Sequence, residues 1–156
     1  MNLSNDEAQL LINVCKKLKD KVINIPSPGD TRKYQSTDLE EIREFIYRMR
    51  QAKGNTSQRH KATYNLFYNG IQLLRLDTDG NGLHTNVDGS TIPPHTPHIH
   101  IYDEIELDHN AYLLPKNFTN PADIFQTLLD FFSYSNIIDI EQLEIKEQKG
   151  LVFHDD

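Results

Sequence analysis

The chain has 156 residues, of which 23 are acidic and 16 are basic, and its formal net charge is −7. This length is typical of one domain with a core that needs no disulfide, and the single cysteine, Cys15, is expected to be a buried, inert thiol. The acidic charge argues against broad binding to a nucleic-acid backbone, which needs an excess of lysine and arginine. Without an apolar run of about 20 residues or a signal-peptide pattern, we expect a cytoplasmic protein that does not enter membranes.

The first third of the chain carries helical signals. Ser4 and Glu7 form a capping box, and apolar residues then recur every three or four positions, which predicts a helix over residues 4–22. The segment 39–51 fits both a helix and a strand. We favour a short helical turn followed by a strand near residues 43–50, because two further strands follow it at hairpin distance.

Strand signals dominate the middle of the chain. Residues 62–68 alternate in the manner of a strand, Asn69-Gly70 is the dipeptide that a type I′ hairpin turn prefers, and residues 71–76 form the returning strand. Further strands are predicted over residues 97–102 and 111–114.

A second helix and a last strand are predicted near the end. Pro121 suits the first turn of a broadly apolar helix over residues 121–133, which would pack on one face of the sheet. Residues 140–156 are predicted to be a C-terminal strand or tail. The result is one α+β domain over residues 1–156, with an antiparallel hairpin meander of four to six strands within about residues 43–115.

Strand alternation divides the histidine-rich segment from Leu74 to Tyr102 into two faces. The residues predicted to face the core are Leu74, Leu76, Ile99 and Ile101. The residues predicted to share the opposite face are Leu73, Arg75, Asp77, His98, His100 and Tyr102. This convergence predicts a functional site on one side of the sheet.

Acid–base chemistry on a phosphodiester or acyl group is the first interpretation of this face. Two histidines can act as general acid and general base on either side of a scissile bond, and Arg75 can stabilise the charge that develops on phosphorus. The candidate catalytic residues are Arg75, Asp77, His84, His98, His100 and Tyr102. The plain alternative is that the histidines are exposed strand residues with local hydrogen bonds.

A transition-metal site is the second interpretation. His98 and His100, two positions apart on one strand face, would supply two ligands, and His84 or Asp77 would supply the third. A metal site of this kind would leave one coordination position open.

A calcium site is the third interpretation. Residues 77–82 read Asp-x-Asp-x-Asn-Gly, the first half of an EF-hand loop, and Asp88 falls at the twelfth position. A strand precedes this loop instead of a helix, and His84 stands where an apolar residue is usual. A turn-rich loop is therefore the favoured interpretation.

Three motifs resemble a family of small uncharacterised proteins of bacteria and phages. They are Arg75–Asp77 (R-L-D), His84–Gly89 (H-x-N-x-D-G) and Pro97–Tyr102 (P-H-x-H-x-Y), and the likeness covers about residues 40–136. The chain departs from the pattern by an insertion at residues 79–81. The arrangement is also loosely similar to histidine-containing ribonuclease toxins of toxin–antitoxin systems, a likeness that implies RNA cleavage by analogy.

Three functions follow from these patterns. The first is a toxin-like ribonuclease or phosphodiesterase with RNA or a nucleotide as its substrate and no cofactor. The second is a non-enzymatic inhibitor from a phage or mobile element, whose acidic surface would bind a basic host protein. The third is a metal-binding domain that holds a divalent ion through His84, His98 and His100.

Overall fold

The protein has an α+β fold, and the computed structural model describes residues 2–53 and 61–147. The helices are α1 (Asn5–Asn13) and α2 (Ile124–Tyr134). The strands are β1 (Lys16–Leu18), β2 (Val22–Ile25), β3 (Thr31–Asp38), β4 (Glu44–Gln51), β5 (Ala62–Tyr68), β6 (Ile71–Asp77), β7 (His84–Thr85), β8 (Thr91–Ile92), β9 (His98–Ile101), β10 (Ala111–Leu113) and β11 (Glu144–Glu147).

Seven strands form the main sheet in the order β1-β3-β4-β5-β6-β9-β10, and each neighbouring pair is antiparallel. This confirms the antiparallel meander but exceeds the predicted four to six strands, because β1 and β3 extend the sheet beyond residue 43. The strands β7 and β8 form a separate hairpin, and β11 pairs in parallel with β2. In the described part of the chain, neither helix is long and apolar enough to cross a membrane.

Both helices contribute to one apolar core on a single face of the sheet. Phe131 and Phe132 of α2 meet Tyr47 edge-on, with ring centroids 6.0 and 5.1 Å apart. Such aromatic contacts add to the free energy gained by burying apolar surface. The prediction of a closing helix on one sheet face is confirmed, although α2 begins after an Asp123 cap and not at Pro121.

The hairpin between β5 and β6 forms where the sequence predicts it. Asn69 and Gly70 have positive φ values of 49° and 77°, as a type I′ turn requires. The predicted strand near residues 43–50 is also confirmed, as β4. The helical turn predicted before it is absent, since Thr37 and Asp38 end β3 and the Asp38 carboxylate accepts hydrogen bonds from the two backbone amides that follow the turn.

The prediction of one helix over residues 4–22 is wrong in its length. The capping box of Ser4 and Glu7 forms, but α1 ends at Asn13. The backbone of Lys16 instead pairs with Asn136 and Ile138, in the segment that follows α2. These long-range backbone bonds override the local helical pattern, and Cys15 is exposed, contrary to prediction. The C-terminal strand is present as β11, and the rest of the predicted segment, residues 148–156, lies outside the described residues.

Lys16 is fully buried where the ends of the two helices meet. Its Nζ donates hydrogen bonds to the carbonyl oxygens of Ile12, Val14 and Ser135, at 2.7, 3.0 and 2.7 Å. The Phe45 ring lies 4.9 Å away, at a distance that permits a cation–π contact. Burial lowers the pKa of Lys16 to about 7, and the neighbouring Cys15 opposes this shift.

The lowered pKa of Lys16 predicts a pH dependence of stability. Above about pH 7 the folded protein has released this proton, whereas the unfolded chain keeps it until about pH 10. The free energy of unfolding should therefore rise with pH across this window by an amount that a Lys16→Met variant lacks. Urea unfolding of both proteins at pH 7, 8 and 9 would measure the difference, and parallel curves would contradict the prediction.

Candidate functional site

The candidate site lies on the sheet face opposite the helices, where β6 and β9 run side by side. The register places Arg75 directly opposite His100, and Asp77 directly opposite His98. Leu76 and Ile99, which alternate with them, are buried in the core. Four of the six residues predicted to share this face therefore converge here.

Arg75 is the hub of the cluster. Its Nε donates to Asp77 Oδ2 at 3.1 Å, its Nη1 donates to Asp108 Oδ2 at 3.1 Å, and its Nη2 lies 2.9 Å from His100 Nε2. The arginine side chain is 32% exposed. One cation therefore joins two carboxylates and one imidazole, with an edge open to solvent.

Asp77 lies between the two strand histidines. Its Oδ2 is 3.4 Å from His98 Nε2 and 3.6 Å from His100 Nε2, and its Oδ1 accepts a hydrogen bond from Thr63 at 2.9 Å. Burial favours the neutral acid, but the neighbouring His98 and Arg75 outweigh it and hold the pKa of Asp77 below its usual value. The carboxylate is therefore ionised at neutral pH.

The two strand histidines are held in opposite electrostatic environments. Interaction with Asp77 raises the pKa of His98 in spite of burial. Burial, helped by the charge of Arg75, lowers the pKa of His100 to about 4. His100 is therefore neutral at pH 7, with Nδ1–H directed at the Asp108 carbonyl at 2.8 Å and the Nε2 lone pair directed at Arg75.

The hairpin of β7 and β8 brings His84 over the strand histidines. The His84 ring is stacked on His98 at 6.3 Å between centroids and meets His100 edge-on at 5.4 Å. Asn86 fixes the hairpin: its side chain bonds both the amide and the carbonyl of Ala111 in β10 and accepts from His84 Nε2 at 3.0 Å. His84 therefore lies over the sheet face that carries the two strand histidines.

Asp108 and His109 are site residues that the sequence analysis missed. Asp108 bonds Arg75 through its carboxylate and His100 through its carbonyl. The His109 ring lies 5.4 Å from that of His84. Both residues lie in the loop between β9 and β10, whose path depends on long-range contacts. In the sequence, the only signal is the Asp108-His109 dipeptide. No other candidate site residue is its close neighbour at a helical or strand spacing.

The structure places two residues of the predicted face elsewhere. The Tyr102 hydroxyl bonds both the amide and the carbonyl of Leu3 at 3.1 and 2.8 Å, and its side chain belongs to the core. Leu73 is fully buried because the pairing of β5 and β6 shifts by one residue at Leu66, and a bulge turns the extra side chain towards the core.

The loop after β6 matches an EF-hand in sequence, but its oxygen-bearing side chains do not converge on one point. Asp79 bonds His95, Asn81 accepts from Lys61, and the Asp88 carboxylate caps Ser90. Asp77 faces the histidines instead of these side chains. The turn-rich interpretation therefore holds.

The profile of a family of unknown function, DUF6978, matches residues 3–137, which is most of the chain and includes every member of the cluster. The chain belongs to this family. No curated protein and no solved structure matches it at a significant level. Membership of DUF6978 agrees with the resemblance to uncharacterised proteins and assigns no chemistry to the site.

Proposed function

We propose that this chain is a small phosphodiesterase that acts on RNA or a nucleotide at the cluster around Arg75. The observation that carries the proposal is a partly exposed guanidinium that contacts His100, one of four imidazole rings linked by ring contacts. His84 contacts the rings of His98, His100 and His109, and His98 contacts His100. Imidazoles transfer protons near neutral pH, and a guanidinium recognises phosphate through paired hydrogen bonds.

Arg75 is the phosphate-binding group in this proposal. Its outer nitrogen, Nη1, is bonded to Asp108, whose side chain is 48% exposed. A phosphate oxygen can replace this carboxylate at the rim while Nε stays bonded to Asp77. The arginine would then stabilise the negative charge that builds on phosphorus as the nucleophile attacks.

His84 and His109 are assigned the proton transfers because they lie on the open side. His98 and His100 are the histidines predicted from the sequence for these roles, but their side chains are only 8% and 3% exposed. His84 Nε2 faces the Asn86 amide oxygen and His109 Nε2 faces a carbonyl oxygen, so each ring keeps its Nδ1 lone pair for a substrate.

The reaction needs one base and one acid. One of the two open imidazoles removes the proton of the attacking hydroxyl or water as its oxygen bonds to phosphorus. The other, in its protonated form, gives a proton to the leaving oxygen as the second phosphorus–oxygen bond breaks. His98, His100 and Asp77 position Arg75 from below.

Hydrolysis of bis(p-nitrophenyl) phosphate and of a fluorogenic RNA oligonucleotide tests this function. The His84→Ala/His109→Ala variant is expected to lose at least about 100-fold in rate, the usual contribution of acid–base catalysis. Arg75→Lys should lose activity as well, because lysine lacks the planar fork. His95→Ala is the matched control, since His95 pairs with Asp79 outside the cluster. A double variant with full activity, or folded wild-type protein without activity on either substrate, would refute the proposal.

A further inference from the structure

We propose that Asp77, His98 and His100 form a binding site for a divalent transition-metal ion of the zinc type. This inference goes beyond the proposed phosphodiesterase and does not depend on it, because a bound metal ion would break the Arg75–Asp77 bond that the phosphodiesterase keeps. One carboxylate oxygen and two imidazole nitrogens lie within 4.8 Å of one another. Among the described residues this is the cluster of histidine, cysteine or acidic side chains that has metal-binding spacing.

The distances fit coordination better than hydrogen bonding. Asp77 Oδ2 lies 3.4 Å from His98 Nε2 and 3.6 Å from His100 Nε2. Hydrogen bonds between nitrogen and oxygen span about 2.7–3.2 Å. Ligand atoms that each lie about 2.0–2.1 Å from a tetrahedral zinc ion are about 3.4 Å apart. Asp77 Oδ2 is therefore spaced from each of the two imidazole nitrogens as two ligands of one zinc ion are spaced.

Each of the three ligands is fixed from behind by a second contact. His98 Nδ1 lies 2.8 Å from the Thr96 carbonyl oxygen, and His100 Nδ1 lies 2.8 Å from that of Asp108. The other carboxylate oxygen of Asp77 accepts from the Thr63 hydroxyl. Such outer contacts set the tautomer of a metal-ligating histidine, and here they leave both Nε2 atoms directed inward.

Arg75 indicates that the ligand atoms attract a cation. Its guanidinium donates to Asp77 Oδ2 and His100 Nε2, which are two of the three ligand atoms. A metal ion would have to displace these two hydrogen bonds, and Arg75 would retain its bond to Asp108 at the rim. Arginine and metal therefore compete for one position. Removal of Arg75 should consequently strengthen metal binding.

The donor set selects the class of metal. Two imidazoles and one carboxylate suit zinc and its neighbours, whereas magnesium and calcium prefer oxygen ligands alone. Three protein ligands leave a fourth position for water or substrate, and the His84 ring covers the cluster at 5.4 Å from that of His100.

Calorimetric titration of tag-free, chelator-treated protein with Zn²⁺ tests the site, with Co²⁺ absorption to report tetrahedral coordination. One ion per chain is expected to bind, and Mg²⁺ should not compete. Asp77→Asn and His98→Gln should each weaken binding by more than about 100-fold. His95→Gln, which alters a histidine–aspartate pair outside the cluster, should leave it unchanged.

Arg75→Met is the decisive variant, because removal of the competing cation should strengthen Zn²⁺ binding by about tenfold or more. It also keeps the test valid if Asp77→Asn fails to fold. Unchanged or weaker binding in Arg75→Met, no saturable binding by folded wild-type protein, or full affinity in a folded Asp77→Asn variant would overturn the proposal. Because the readout is binding, loss of the proposed phosphodiesterase activity would not affect the result.

Discussion

A Lys16→Met variant is expected to lose about 2 kcal/mol or more of its free energy of unfolding at pH 9, where the folded protein holds Lys16 as a neutral amine. Lys16 has no solvent exposure, and its Nζ satisfies the carbonyl oxygens of Ile12, Val14 and Ser135. Methionine fills a similar volume but donates no hydrogen bond. Two of these carbonyls lie in buried contacts with the lysine and would lose their partner. Urea unfolding followed by circular dichroism measures the loss.

Lys17→Met is the matched control for this substitution. Lys17 is the neighbouring residue, but its ammonium meets Glu41 in a solvent-exposed ion pair. Exposed pairs of this kind contribute about 1 kcal/mol at most, so the control should unfold close to the wild-type midpoint. Equal stability of the two variants would show that the buried Lys16 side chain does not stabilise the junction of the two helices.

An Asn86→Ala variant is expected to lose about 2–4 kcal/mol of its free energy of unfolding. The β7–β8 hairpin should also detach from the sheet. The buried Asn86 amide bonds the Ala111 backbone at both its amide and its carbonyl, at 2.8 Å each, and also holds His84 and Ser90. Alanine leaves the Ala111 groups without these partners. Because His84 loses its fixed tautomer, the proposed phosphodiesterase activity should fall with stability.

Asn110→Ala provides the comparison for this second variant. The Asn110 side chain accepts a single hydrogen bond from the Val87 amide, in an exposed setting. Removal of the Asn110 side chain should lower the free energy of unfolding by less than about 1 kcal/mol and leave His84 in place. Hydrogen exchange of the hairpin amides would locate the effect, and equal exchange in both variants would contradict the role assigned to Asn86.

Strand parity explains why the centre of the site could be predicted. Residues two apart on a strand share a face in any sheet, so His98 and His100 had to lie together. The Asn69-Gly70 turn identifies β6 as the strand next to β5. Arg75 and Asp77 are two apart on β6, so they also share one face. These are local properties, whereas the pairing of β6 with β9, which brings the two pairs of residues together, is a long-range contact.

Where prediction was wrong, a long-range contact decided the outcome. The helical pattern of residues 4–22 ends at Asn13 because Lys16 pairs with a segment more than one hundred residues away. Leu73 turns inward at a bulge, and Tyr102 reaches the backbone of Leu3. The end of α1 and the positions of Leu73 and Tyr102 each depend on contacts with distant segments. The periodicity of a single segment does not encode such contacts.

The sequence by itself therefore determined the class of fold, the hairpin and the face that carries Arg75, Asp77, His98 and His100. Only the tertiary structure decided how deeply each group is buried and which loops cover it. It buried the two strand histidines, placed His84 above them and added Asp108 and His109. The physical reason is that side-chain direction follows from local backbone geometry, whereas solvent exposure and the spacing of ligand atoms follow from contacts between distant segments.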